Sequence, residues 1–304
     1  TVALQGYFSQ KDIPTAHAVL ARHTIAAVKS VSGEERRQVV DSAKCGNCHE
    51  WFEGHGGNRV YNINVCTTCH NPNLTSSGRT ATVATATASV NSCAEIKQMY
   101  LDGYATRVED TVEPHVGVAP CTNAADTLEA GKYYIYTSKS PLLYPEASNN
   151  LKDMIHGIHA SAARSDPFQF VRVRSGKSYY FNFAEVTFPG ILQNCETCHK
   201  PGTYTSVPEN VLVSTVRIPA TSGTDTTADI KTARNTVPNA TDLVTTPVAG
   251  ACSYCHDSPL AIGHMEQNGG YVNTDRTTVV GNAFETCEVC HGTGSMADVA
   301  IVHE

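Results

Sequence analysis

The chain has 304 residues, 41% of them hydrophobic but only 7% aromatic, which is thin for an all-protein core unless another group supplies apolar volume. A formal net charge of −7 with His neutral excludes the electrostatic footprint of a nucleic-acid partner. No run approaches the ~18 apolar residues of a membrane-spanning helix, so no transmembrane segment is expected in this chain. The opening Thr1-Val-Ala-Leu-Gln-Gly-Tyr-Phe does not have the form of a leader, which points to a mature chain or a piece of one.

In chain order, residues 1–10 alternate like a strand and are expected to stand apart from the rest of the chain. Residues 14–44 read as a helix started by Pro14, then a charged connection, Gly33-Glu-Glu-Arg-Arg. His17 and His23 lie in that helix, on different faces. Two cysteine motifs come close behind. The Thr/Ala/Ser-rich stretch from Thr75 to Ser92 reads as an extended loop. Between Cys93 and Pro145 the chain carries Cys121, a loop residue His115 and a strand-like Lys132-Tyr-Tyr-Ile-Tyr. A short amphipathic helix is predicted from Asn150 to His159, capped by Asn149 or Asn150, with Met154, Ile155 and Ile158 as apolar positions. Residues 168–183 read as a hairpin turning at Ser175-Gly176, which leads through Phe188-Pro-Gly to a third motif. The Thr/Val/Pro/Ala-rich residues 201–250 look like a long excursion, and two more motifs close the chain.

Twelve Cys and thirteen His are the outstanding numbers. Ten of the Cys form five copies of Cys-x-x-Cys-His: Cys45/Cys48/His49, Cys66/Cys69/His70, Cys195/Cys198/His199, Cys252/Cys255/His256 and Cys287/Cys290/His291. A random chain of this Cys and His content would carry roughly 0.02 copies of the pattern. Two thiols two residues apart can form thioethers with the two vinyl groups of one haem, and the His after them is then placed under the iron. Five haem c groups are therefore expected, each with its proximal ligand. Zinc is the rival, because Cys45/Cys48 and Cys66/Cys69 are separated by seventeen residues. But zinc sites do not require a His after the second Cys, and all five pairs have one. Cys93 and Cys121 fall outside the motifs; in an oxidising compartment they are expected to form a disulfide, the alternative being two buried thiols.

Eight other His compete for the distal positions. His156 and His159 share one helix face at i, i+3, so each can serve a different haem. His55 lies in Gly-His-Gly-Gly six residues after His49, and His264 lies in Ile-Gly-His-Met after the fourth motif. There glycines would let the backbone approach a flat ring. His303 comes twelve residues after the fifth motif. These five complete the expected bis-His set, with His23 in reserve. A bis-His iron has no open site, so an electron carrier rather than an enzyme is expected.

Several segments resemble the decahaem outer-membrane cytochromes of metal-respiring bacteria, the OmcA/MtrC family. They are Val40-Asp-Ser-Ala-Lys-Cys-Gly-Asn-Cys-His, His55-Gly-Gly-Asn-Arg, Met154-Ile-His-Gly-Ile-His, Phe188-Pro-Gly-Ile-Leu-Gln-Asn-Cys-Glu-Thr-Cys-His and Cys287-Glu-Val-Cys-His-Gly-Thr-Gly. The resemblance implies one pentahaem domain over residues 11–304, with a haem-free excursion at about 201–250. Residues 1–10 would then be a strand remnant of a preceding barrel-like domain, or an N-terminal arm, and the chain the C-terminal half of a longer protein. The fold class expected is a multihaem cytochrome c: mostly short helices and loops around packed haems, with few short strands. The resemblance also implies an extracellular or outer-membrane surface location, the periplasm being second choice. Other multihaem cytochromes, metal oxides or flavins would be the partners. A multihaem reductase with one open haem, and a subunit of a polymeric cytochrome filament, are the alternatives.

Overall fold

In a computed structural model the described residues are 1–11, 19–23, 26–33, 35–49, 52–55, 59–60, 62–77, 105–108, 133–136, 146–174, 177–208, 211–218 and 232–303. The chain divides into two compact units. Unit 1 comprises Thr1–Asn71, Phe188–Val211 and Thr286–Glu304; unit 2 comprises Pro72–Thr187 and Leu212–Glu285.

Unit 1 opens with four short strands, β1 (Val2–Leu4), β2 (Tyr7–Lys11), β3 (Val19–His23) and β4 (Ala27–Lys29). β2 pairs antiparallel with β3, and β1 with β4 around them. The predicted N-terminal strand is present, and its backbone groups find partners within the next twenty-odd residues. The helix expected from Pro14 is replaced over Val19–His23 by β3. Leu20, Ala21 and Arg22 favour helix, but ladder pairing from Lys11↔Val19 to Tyr7↔His23 overrides that preference. β5 (Glu53–Gly54) and β6 (Arg59–Val60) form a further small ladder. The other regular pieces of this unit are single turns of helix: Ser42–Asn47, Ile63–Cys66, Cys195–Thr197, Glu288–His291 and Val299–Val302. Val65 is the one buried apolar side chain among its described residues.

Unit 2 holds the protein core. β7 (Ala105–Val108) pairs with β8 (Tyr133–Tyr136), which is the predicted Tyr-rich strand. β9 (Gln169–Arg174) pairs with β10 (Lys177–Asn182) in the register Arg174↔Lys177, as a two-residue connection at 175–176 requires. Phe168 and Phe170 are buried with Ala147, and Met154, Ile158, Phe183 and Tyr254 pack against them. The Phe168 and Phe170 rings meet edge to face at 5.9 Å. β11 (Ser214–Arg217), β12 (Leu243–Thr245) and β13 (Thr274–Asp275) make a three-stranded sheet. Ser214, Thr215, Ile218, Asp242 and Val244 are buried there. The stretch expected as an excursion thus supplies part of the core.

The predicted helix is Leu151–His159, with Asn150 at the N-cap. Asn150 does not cap through its side chain, whose Nδ2 donates to Ser214 Oγ at 2.8 Å. Ser148 orders the helix start instead. Its Oγ accepts from Asn150 N–H and donates to Asp153 Oδ2 at 2.7 Å, inside a buried polar cluster. Short helices therefore match the expectation, while strands exceed it: thirteen lie in six small antiparallel sheets, none of them a barrel among the described residues.

Candidate haem-attachment sites

The five motifs adopt one local geometry. In each, the N–H groups of the second Cys and of the His both donate to the carbonyl of the first Cys. The His N–H bond is 2.9 Å at His49, His70, His199 and His291 and 2.8 Å at His256. This is a single helical turn, so the two thiols at i and i+3 lie on one side, with the imidazole beside them at i+4. Side-chain caps start three of these turns: Asp41 accepts from Ala43 N–H, Asn62 from Asn64 N–H and Asn194 from Glu196 N–H. The fourth is capped from a distance. Glu285 accepts from Ala249 N–H at 2.7 Å and Val248 N–H at 2.9 Å, ahead of the Ala249–Cys252 helix that carries the first thiol.

None of the ten motif cysteines forms a disulfide. Among the described residues no three His, Cys, Asp or Glu side chains converge as a metal-ion cluster would require. The surroundings fit a porphyrin. Cys48, Cys69, Cys255 and Cys290 are exposed on their turns. Val289 is 78% exposed and Met296 fully so around the fifth motif, and Leu260 is 85% exposed after the fourth. A flat apolar macrocycle tied to the fourth or fifth turn would cover such side chains. Burial pushes the thiols of Cys45, Cys66, Cys195 and Cys198 above their ordinary value. Burial, with the Arg37 and Lys44 cations adding, pushes the His199 imidazole below its own, which favours the neutral ligand form.

Hydrogen bonds fix which nitrogen of three imidazoles carries the proton. Nδ1 of His291 lies 3.0 Å from Ala297 O, that of His159 2.9 Å from Ile155 O and that of His303 2.9 Å from Val299 O. A carbonyl can only accept, so Nδ1 carries the proton and Nε2 presents the lone pair. His159 and His303 share one arrangement, at a helix C-terminal end with the i−4 carbonyl as partner. The His199 ring meets Tyr204 edge-on, with centroids 6.0 Å apart.

The expected distal residues divide between the units. His55 lies in unit 1, with its ring centroid 6.0 Å from that of His70. It has φ +55°, so the unusual backbone conformation falls on the histidine itself rather than on Gly54, and Gly56 and Gly57 lie outside the described residues. His303 also belongs to unit 1, while His156, His159 and His264 belong to unit 2. His264 is exposed on the Pro259–Gln267 helix, and Gly263 before it meets only open space. Gly157, between the paired histidines, is a different case. A Cβ there would run into the Phe168 ring and come within 3.0 Å of Tyr254, the residue before Cys255. The Ile-His-Gly-Ile-His helix thus packs against the fourth attachment turn through its glycine. Arg164 covers the Tyr254 ring from 5.0 Å. His23 lies opposite Tyr7 in β3. His17, His115 and the expected Cys93–Cys121 pair lie outside the described residues.

The sequence profile described as outer membrane cytochrome MtrC/MtrF-like, domains II/IV, matches residues 37–304. The chain belongs to this family. No curated protein matches it. Membership identifies an outer membrane cytochrome, so the cofactor is c-type haem and the work is electron transfer. No helix among the described residues is long and apolar enough to cross a membrane.

Proposed function

We propose that this cytochrome carries electrons through five covalently attached haems, each ligated by two histidines. The acceptors would be extracellular metal oxides, flavins or partner cytochromes at the outer-membrane surface. The haem supplies a one-electron Fe(III)/Fe(II) couple when bound; the chain anchors it, orients it and occupies both axial positions. The proximal ligands are His49, His70, His199, His256 and His291, and the distal set is His55, His156, His159, His264 and His303.

One observation carries the reading. The fold brings the His55 and His70 rings together, with centroids 6.0 Å apart although the residues are fifteen positions apart in the sequence, so a second imidazole stands beside the histidine of the second motif. The Nδ1–carbonyl bond at His303 supports the same role there and favours it over His23, which lies in a strand ladder.

Electron paramagnetic resonance of the oxidised protein tests the ligand set. The native protein should show low-spin ferric haem only, with five haems counted chemically. His55→Ala should add a high-spin signal of about one haem. A signal that stays low-spin would reject His55 as a ligand, and a high-spin haem in the native protein would revive the open-site reductase. His303→Ala should behave as His55→Ala does, and if its spectrum stays low-spin His23 becomes the better choice.

A further inference from the structure

Within unit 1 the first and third attachment turns are joined through their backbones, although about 150 residues separate them. Val40 and His199 form an antiparallel bridge, Asp41 N–H donates to Cys198 O at 3.1 Å, and Lys200 N–H donates to Val39 O at 3.0 Å. Thr203 adds a hydroxyl bond to Val39 O at 2.8 Å. Lys44, the residue before Cys45, crosses this seam. Its Nζ donates to Glu196 O and to His199 O, both at 2.7 Å.

These two bonds are short, and both acceptors are neutral carbonyls. Among the described residues no carboxylate forms an ion pair with Lys44, whose ammonium is held by the two peptide carbonyls. The half-buried ammonium therefore places a positive charge one residue from an attachment thiol of the first motif and against the peptide of the third motif's proximal ligand. A tetrahedral ammonium with three donors suits two divergent carbonyls, a geometry that a planar guanidinium matches less well.

We propose that Lys44 is a positioning residue shared by the first and third haems, holding both attachment turns together and making both irons easier to reduce. This rests on the reading that both motifs carry haem. Reduction of a ferric haem adds one negative charge, and a fixed cation nearby lowers the energy of that state by Coulomb attraction. The exposed side of the ammonium leaves part of the effect open to screening by salt.

The test uses the full-length haem-loaded protein and a spectroelectrochemical titration. Lys44→Met should keep five haems while two of the five one-electron waves move to lower potential. At a fixed potential the ratio of reduced to oxidised haem should fall for those two by about 3- to 10-fold, equivalent to ~30–60 mV for a one-electron couple. Lys44→Gln, which keeps a donor but not the charge, should shift the same two waves. Lys44→Arg, which keeps the charge but fits the two carbonyls less well, should shift the two waves less than Lys44→Met does, and higher salt should narrow the gap between Lys44→Met and the native protein. Five unchanged waves in Lys44→Met would overturn the proposal, as would an equal shift of all five. Should Lys44→Met lose haem, unchanged waves in Lys44→Gln would overturn it equally. A native haem count below five would instead indict the five-haem reading, independently of Lys44.

Discussion

The two units build their interiors from different materials. Unit 2 contains one attachment motif and nearly all the buried apolar side chains, among them Leu151, Phe168, Phe170, Ile218, Val244 and Val279. It also contains the satisfied buried polar groups around Ser148, Asn150, Asp153 and Ser214. Unit 1 contains the other four motifs, and Val65 alone is a buried apolar residue among those described. Where the Cys-x-x-Cys-His motifs are dense, few side chains of the described residues are buried, and single helical turns held by caps serve as scaffold.

The largest effect should come from withholding haem. In chains whose motif cysteines are replaced by Ser, amides in 41–49, 62–70, 195–199 and 286–303 should lose hydrogen-exchange protection, while those of the Leu151–His159 helix and β9–β12 keep it. Uniform loss across both units would abolish the distinction. Next, Phe168→Ala should destabilise unit 2 by about 3–5 kcal/mol, as large aromatic core deletions do, and denaturant unfolding would measure it. Gly157→Ala should cost about 1–3 kcal/mol by overpacking against the same ring, and it should also perturb the spectrum of the fourth haem, because Tyr254 is its other neighbour.

A smaller effect is expected at Asp298 in unit 1. Its Oδ2 accepts from Gly294 N–H at 2.6 Å, and its Oδ1 accepts from Ala300 N–H at 2.9 Å at the start of the helix leading to His303. Asp298→Asn keeps an acceptor for one donor and loses the other, at about 1 kcal/mol. It should shift a low-spin resonance position without creating high-spin iron. The smallest effect concerns pH. Burial raises the Asp242 carboxyl above its ordinary value, although Asn239 N–H and Arg276 oppose this. Its folded form therefore holds a proton more tightly than the unfolded chain does, and its contribution to stability falls as pH rises from the unfolded value of about 3.9 through the raised one. Asp242→Asn should flatten that slope in acid titrations of unit 2.

Some of this fold is legible in the sequence. The β9–β10 hairpin shows itself through alternation around a turn dipeptide, and the Leu151–His159 helix through its apolar spacing. The N-terminal strand is equally readable, but its partners are not, since β3 lies in a segment with helical start signals and no alternation strong enough to oppose them. Glu285 and Lys44 carry no signal, because each acts on backbone groups far along the chain. Asp298 carries a weak one, as a capping residue before Val-Ala-Ile-Val.

The sequence by itself determined the cofactor chemistry. Two thioethers and one axial nitrogen per haem must come from a single helical turn, so the requirement is local and appears as a fixed spacing that can be counted. Only the tertiary structure decided which imidazoles approach one another, as His55 and His70 do, which unit needs a core of side chains, and which cation joins the first turn to the third. Those are contacts between residues distant in sequence, set by how the chain closes on itself, and no local pattern encodes them.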